Sequence, residues 1–125
     1  MSDALQSFFD SCTVVHLGIY RDKKLHAIKY YEKFPKDLER CKIILCDPLI
    51  ATGATILKAL EILNEYNCKN ITILGIIASQ KASKLISEKY PSINIFVADI
   101  DPETNDHGYL LPGVGDAGDR LYRTK

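Results

Sequence analysis

The sequence predicts an α/β fold built on a parallel sheet, and three observations carry that expectation. Short β-branched runs alternate with helical stretches. The inner runs are apolar at consecutive positions, as in strands covered on both faces. One intervening stretch repeats its apolar residues at the i, i+3, i+4, i+7 spacing of a helix with a single buried stripe.

In chain order, residues 13–20 (TVVHLGIY) form the first expected strand. Residues 42–46 (KIILC) form the second, which is expected to be covered on both faces. Residues 55–66 follow as a helix with Ile56, Ala59, Leu60 and Leu63 on one side. Residues 71–78 (ITILGIIA) are the third strand and 93–98 (INIFVA) the fourth. Between these two lies a helix over 81–90 that presents Ala82, Leu85 and Ile86 and stops at Pro91. Strand–helix–strand repeats of this kind make βαβ units and hence a parallel sheet.

Two segments interrupt the alternation. Residues 21–40 are charged, dotted with aromatics and long for a connection, so they read either as a binding arm that closes over a site or as a solvated hairpin. Lys23, Lys24 and Lys29 could draw a polyanion to such an arm, with plain surface solvation as the simpler role. Residues 99–125 concentrate Gly108, Gly113, Gly115 and Gly118 with Pro102 and Pro112. The interleaved Tyr109, Leu110, Leu111, Val114 and Leu121 argue for a shaped loop rather than a disordered end.

The chain is 125 residues, one domain spanning 1–125, with 16 basic and 16 acidic residues and a formal net charge of zero. That balance excludes bulk attraction to nucleic acid or an anionic membrane as the mode of binding. No apolar run approaches the roughly 20 residues of a membrane span, and the first residues lack the pattern of a secretion signal, so a cytoplasmic location is expected. Cys12, Cys41, Cys46 and Cys68 form no CxxC pair, which argues against a zinc site or disulfide framework, and Cys41 and Cys46 read as reduced, small hydrophobic residues. His16 is expected in the core or an interface, His26 in solvent, and His107 as a polar cap on a turn.

The most informative stretch is 47–55, DPLIATGAT, directly between the second strand and the amphipathic helix. Ligands of open parallel sheets bind beyond the carboxyl ends of the strands. Residues 52–55 supply main-chain N–H groups and two hydroxyls at a helix start, where unpaired donors and the helix dipole favour a phosphate monoester. Gly53 lets the backbone approach closely. Asp47, at the strand end, is a candidate acceptor for a sugar diol. The alternative is an ordinary turn with Thr52 or Thr55 as the helix cap.

With these residues in view, the chain resembles a family. DPLIATGAT is similar to the phosphoribosyl diphosphate loop of the uracil phosphoribosyltransferases, with the single acid and proline of that family in Asp47-Pro48. Residues 107–120, HGYLLPGVGDAGDR, resemble the family's uracil-binding loop almost letter for letter. LGIYRD, 17–22, resembles the strand end that carries a substrate-binding arginine. The three motifs occur in the family's order and cover nearly the whole chain.

The resemblance implies a phosphoribosyltransferase-like fold and the reaction of uracil with phosphoribosyl diphosphate to give uridine monophosphate and pyrophosphate. It implies catalytic roles for Arg21, Asp47 and Asp116. Arg21, Asp47, Pro48, Leu49, Ile50, Ala51, Thr52, Gly53, Ala54, Thr55 and Asp116 would bind the sugar diphosphate. Uracil would meet Leu110, Gly115, Asp116 and Ala117, mostly through main-chain groups. Cytosine in the same loop would set donor against donor at ~1–3 kcal/mol for each unpaired group. Mg2+ would arrive with the diphosphate, with no dedicated protein metal site. A homodimer or higher homo-oligomer is expected. For Asp119, turn chemistry is favoured over catalysis, and it could also pair with Arg120.

Two departures stand out. Ala54 replaces the family's second loop glycine, and no Arg-Ala-Gly pyrophosphate motif occurs in these 125 residues. The sequence therefore reads as the carboxyl-terminal part of a family member, missing amino-terminal elements. The alternative function is a catalytically weak or inactive nucleotide- or phosphate-binding remnant.

Overall fold

The computed structural model describes residues 1–22 and 26–124, so Lys23 and Lys24 lie outside the described residues. The chain begins with helix α1 (Ser2–Gln6), which the sequence did not announce. Strand β1 (Gly18–Arg21) pairs antiparallel with β2 (Ala27–Tyr31), so the charged connection is a hairpin. A 3-10 turn (Leu38–Arg40) leads into β3 (Ile43–Cys46) and β4 (Leu49–Ile50). Helix α2 (Ala54–Glu65), strands β5 (Ile71–Leu74) and β6 (Ile77–Ser79), and helix α3 (Gln80–Lys89) come next. Strands β7 (Asn94–Phe96), β8 (Asp99–Asp101), β9 (Glu103–Thr104) and β10 (Leu110–Leu111) and helix α4 (Ala117–Tyr122) complete the chain.

The two helices and the second strand fall within about two residues of their expected bounds, because periodicity and capping mark them directly. The first strand is shorter than expected, and residues 13–17 precede it without regular pairing. His16 is accordingly exposed on this chain rather than buried in its core.

The third expected strand is cut in two, and the fourth is strand only over β7, with β8 resuming beyond its expected end after a similar cut. Parallel sheets β3-β5-β7 and β4-β6-β8 repeat the same order on either side of the cuts. At each cut two successive amides share one carbonyl: Ile76 and Ile77 donate to Pro48 O at 3.1 and 3.2 Å, and Ala98 and Asp99 donate to Ile76 O at 2.9 and 3.2 Å. This is the hydrogen-bond pattern of a bulge, which bends a strand and redirects the residues beyond it. Pro48 has no amide to continue the ladder, and Gly75 sits where a side chain would crowd Ile50 and Val97.

Expected coverage on both faces is corrected. The order β3-β5-β7 advances in one direction, so two crossovers of the same hand put α2 and α3 on the same side. Their Ile56, Leu60, Leu63, Ala82 and Ile86 form one core with Ile71, Ile73, Ala78 and Ile50. Each leucine or isoleucine among them removed from water contributes about 1.5–3 kcal/mol. The opposite face leaves Ile44, Cys46 and Phe96 exposed, Phe96 by 57%.

The hairpin is anchored rather than free. Tyr66 at the end of α2 donates to Glu32 at 3.2 Å and packs edge-on against Phe34, with centroids 5.1 Å apart. Lys29 is engaged with Glu32 at 2.8 Å. All four cysteines are free, and burial pushes the thiol of Cys68 above its ordinary range, away from the activated thiolate. Among the described residues no helix is long and apolar enough to cross a membrane.

Candidate active site

A cleft of about 380 Å³ opens at the carboxyl ends of β3 and β4. Its lining joins three distant stretches: Ile19–Tyr20–Arg21 from β1, Asp47, Leu49–Gly53, Thr55 and Ile56, and Gly108, Asp116 and Gly118 from the carboxyl-terminal loop.

The turn between β4 and α2 is built by Gly53. It occupies the left-handed region at φ 80°, and a methyl there would stand 3.3 Å from Ala82 Cβ on α3. Gly53 is the residue preceding α2, and no side chain caps that helix. Thr52 Oγ1 accepts only a long bond from Ala54 N at 3.3 Å, so neither threonine serves as the expected alternative cap. Beyond that one bond the first amides of α2 carry no side-chain cap, which suits an anionic oxygen. Ala54 is helical, so replacing glycine at that position carries no left-handed strain.

Asp47 lies at the bend between β3 and β4. Its Oδ1 accepts the Leu49 amide at 3.1 Å. Burial pushes its carboxyl above the ordinary aspartate range, while the Leu49 amide and the charge of Arg21 pull it back. Arg21 closes β1 on the opposite wall of the cleft. The cleft lining thus carries the carboxylates of Asp47 and Asp116 and the guanidinium of Arg21.

The carboxyl-terminal loop is shaped by its own side chains. Asn105 Oδ1 accepts from His107 N at 3.0 Å and Tyr109 N at 2.9 Å, closing a turn around Gly108. Gly108 stands against Thr52, so the loop touches the phosphate-type turn directly. Asp116 Oδ1 accepts the Asp119 amide at 2.8 Å and thereby caps α4. Asp119 accepts from Tyr109 Oη at 3.2 Å and Thr124 Oγ1 at 2.7 Å. Arg120 donates instead to Val114 O at 3.1 Å, so the expected Asp119–Arg120 pairing gives way to these contacts.

Of the expected site residues, Arg21, Asp47, Leu49, Ile50, Ala51, Thr52, Gly53, Thr55 and Asp116 line the cleft. Pro48, Ala54, Leu110, Gly115 and Ala117 do not. Leu110 is fully buried, and its amide and carbonyl exchange bonds of 3.3 Å with those of Gly115. Their N–H groups are thus engaged with the loop itself, while each carbonyl keeps a second lone pair. Ile19, Tyr20, Ile56, Gly108 and Gly118 were missed. Strand alternation gives no reason to place Ile19 and Tyr20 beside Arg21, and both glycines lie within the motif but carry no side chain to single out. His107 is exposed beside Tyr109 and outside the cleft lining. Among the described residues no group of three or more His, Cys, Asp or Glu could hold a metal ion.

Known proteins share both the sequence and the fold. A model of the family described as "Uracil phosphoribosyltransferase" matches residues 1–124. A uracil phosphoribosyltransferase from Finegoldia magna is 46% identical over all of this chain and 60% of its own length. One from Thermosipho africanus is 43% identical, with 61% of its length covered. The solved structure of the AQ2163 protein from Aquifex aeolicus superposes with a TM-score of 0.79 at 36% identity, over 89% of this chain and 53% of that one. The chain thus spans about 60% of the length of the curated relatives it matches. Between a match across nearly every residue and a shared fold, the chain belongs to the uracil phosphoribosyltransferase family.

Proposed function

We propose that this chain transfers the phosphoribosyl group from phosphoribosyl diphosphate to uracil, forming uridine monophosphate and pyrophosphate. The observation that carries this reading is the meeting of the 52–55 turn, Arg21 and the 108–118 loop around one cleft. In the reaction a uracil ring nitrogen loses its proton and bonds to the anomeric carbon as the bond to pyrophosphate breaks. The protein's part is to hold the reactants in line and to stabilise the departing charge.

The uncapped start of α2 would bind the 5-phosphate. Asp47 would accept hydrogen bonds from the ribose hydroxyls. The Arg21 fork would pair with diphosphate oxygens. Leu110, Gly115, Asp116 and Ala117 would present main-chain groups to uracil. Mg2+ fits as an ion brought by the diphosphate: Asp47 and Asp116 each accept one amide and keep acceptor sites for its waters, and the described residues hold no cluster of three ligating side chains. Bound there, it would neutralise diphosphate charge. In the same reading residues 1–125 act as one domain in the cytoplasm, and a second copy covers the apolar face of Ile44, Cys46 and Phe96.

Incubation with radiolabelled uracil, phosphoribosyl diphosphate and Mg2+ tests the activity. Labelled uridine monophosphate supports the reading, with cytosine used at least about tenfold less well because its amino group leaves a donor unpaired. Binding of ribose 5-phosphate without product would favour a non-catalytic remnant. Sedimentation at rising concentration tests the dimer, and a monomer throughout with cooperative unfolding would refute it.

A further inference from the structure

Two buried side chains behind the cleft have no role in that reaction. Ser79 ends β6 and Asp101 ends β8, and the two are direct partners in the parallel register. Among the described residues they are the buried polar and charged side chains, at 0% and 9% exposure.

Each faces a different substrate loop. Ser79 Oγ donates to Ala51 O at 2.6 Å and accepts the Ala82 amide at 2.9 Å. A trans peptide is planar, so fixing the Ala51 carbonyl inward turns the Thr52 N–H the opposite way. The hydroxyl therefore sets the direction of the first amide of the phosphate-type turn. Asp101 stands beside the other loop: its Oδ2 occupies the place where a Cβ on Gly113 would stand, with Oδ1 3.0 Å from that position. Its Oδ2 is buried without a partner among the described residues. A buried carboxylate oxygen is costly to leave unpaired, and the loop main chain at Gly113 is what stands beside it.

We propose that Ser79 and Asp101 are positioning residues that set the spacing of the two substrate loops, Ser79 through the Ala51 carbonyl and Asp101 through the main chain at Gly113. Neither touches substrate. The identity of the two ligands rests on the proposed function, but the pairing itself does not need them.

The first test uses the ligand-free chain. Backbone 15N relaxation is measured for the unaltered protein, Ser79→Ala and Asp101→Ala. Ser79→Ala is expected to lower order parameters at 52–53 from about 0.85 toward about 0.6 while 110–115 keep theirs, and Asp101→Ala to do the reverse. Ser79→Thr, which keeps the hydroxyl, restores the turn. Should Ser79→Ala fail to fold, Ser79→Cys serves, since its weak donor loosens the same turn. Gly113→Ala is expected to destabilise the unaltered protein but not the Asp101→Ala background, which is the signature of direct contact.

In turnover, Ser79→Ala raises the KM for phosphoribosyl diphosphate about tenfold and Asp101→Ala that for uracil, with the other KM within about twofold. Equal loosening everywhere, in step with a lower Tm, or no loosening at either loop, would overturn the proposal. A chain that never forms product would defeat the proposed function while the relaxation data still decide this pairing.

Discussion

The two walls of the cleft are held in different ways. The 47–55 turn is part of the main core: it leads from β3 and β4, each at the edge of its sheet, into a helix with five buried residues, and Gly53 packs on α3. The 105–120 loop rests mostly on local bonds from Asn105, Asp116 and Asp119 to nearby groups. Its one fully buried large side chain, Leu110, stands apart from the core cluster. The phosphate half is therefore preformed by packing. The base half is shaped by hydrogen bonds of modest net worth, and it is the half that can adjust to a ligand.

Substitutions can break that contrast. Leu60→Ala, in the core beneath the turn, is expected to cost about 2–5 kcal/mol, seen as a lower Tm of the whole protein. Gly53→Ala forces a methyl into the left-handed region at about 1–2 kcal/mol, and calorimetric titration should show ribose 5-phosphate binding lost while the chain stays folded. Asp116→Ala removes the α4 cap for about 1 kcal/mol; its loss should appear in uracil affinity far more than in Tm. Tyr109→Phe deletes one hydroxyl bond to Asp119 for about 0.5–1.5 kcal/mol, loosening the loop with the core unchanged. A global Tm loss from the two loop variants as large as that of Leu60→Ala would erase the contrast.

Asp47 sharpens it through pH. Burial raises its carboxyl, so the folded state disfavours the charge. That stabilising preference for the protonated form is complete below the unfolded carboxyl range and is lost as pH rises through the elevated folded value. Asp47→Asn should therefore raise Tm at neutral pH, with the gain shrinking on acidification. Its ribose 5-phosphate affinity should be lower than that of the unaltered chain at neutral pH, where the carboxylate is available to the sugar.

Legibility in the sequence obeyed the same division. Helices α2 and α3 and the position of the turn could be read because burial on one face imposes a period. The bulges at Pro48 and Ile76 could not, since they arise from amides of neighbouring strands sharing carbonyls. The open face escaped because continuous apolar residues signal burial on both sides, whereas strand order decides where helices fall. In the loop, glycine spacing and motif resemblance located the site, but the mutual bonding of Leu110 and Gly115 and the contact of Asp101 with Gly113 depend on how the loop folds back.

The most direct measurement of the central claim is a 15N NMR titration of the chain with ribose 5-phosphate and then uracil. Convergence on one cleft predicts sugar-phosphate shifts centred on residues 52–55 and uracil shifts on residues 108–117, with Arg21 responding to the first ligand. Uracil shifts confined to the opposite sheet face around Ile44 and Phe96, or sugar-phosphate shifts that bypass the start of α2, would contradict it.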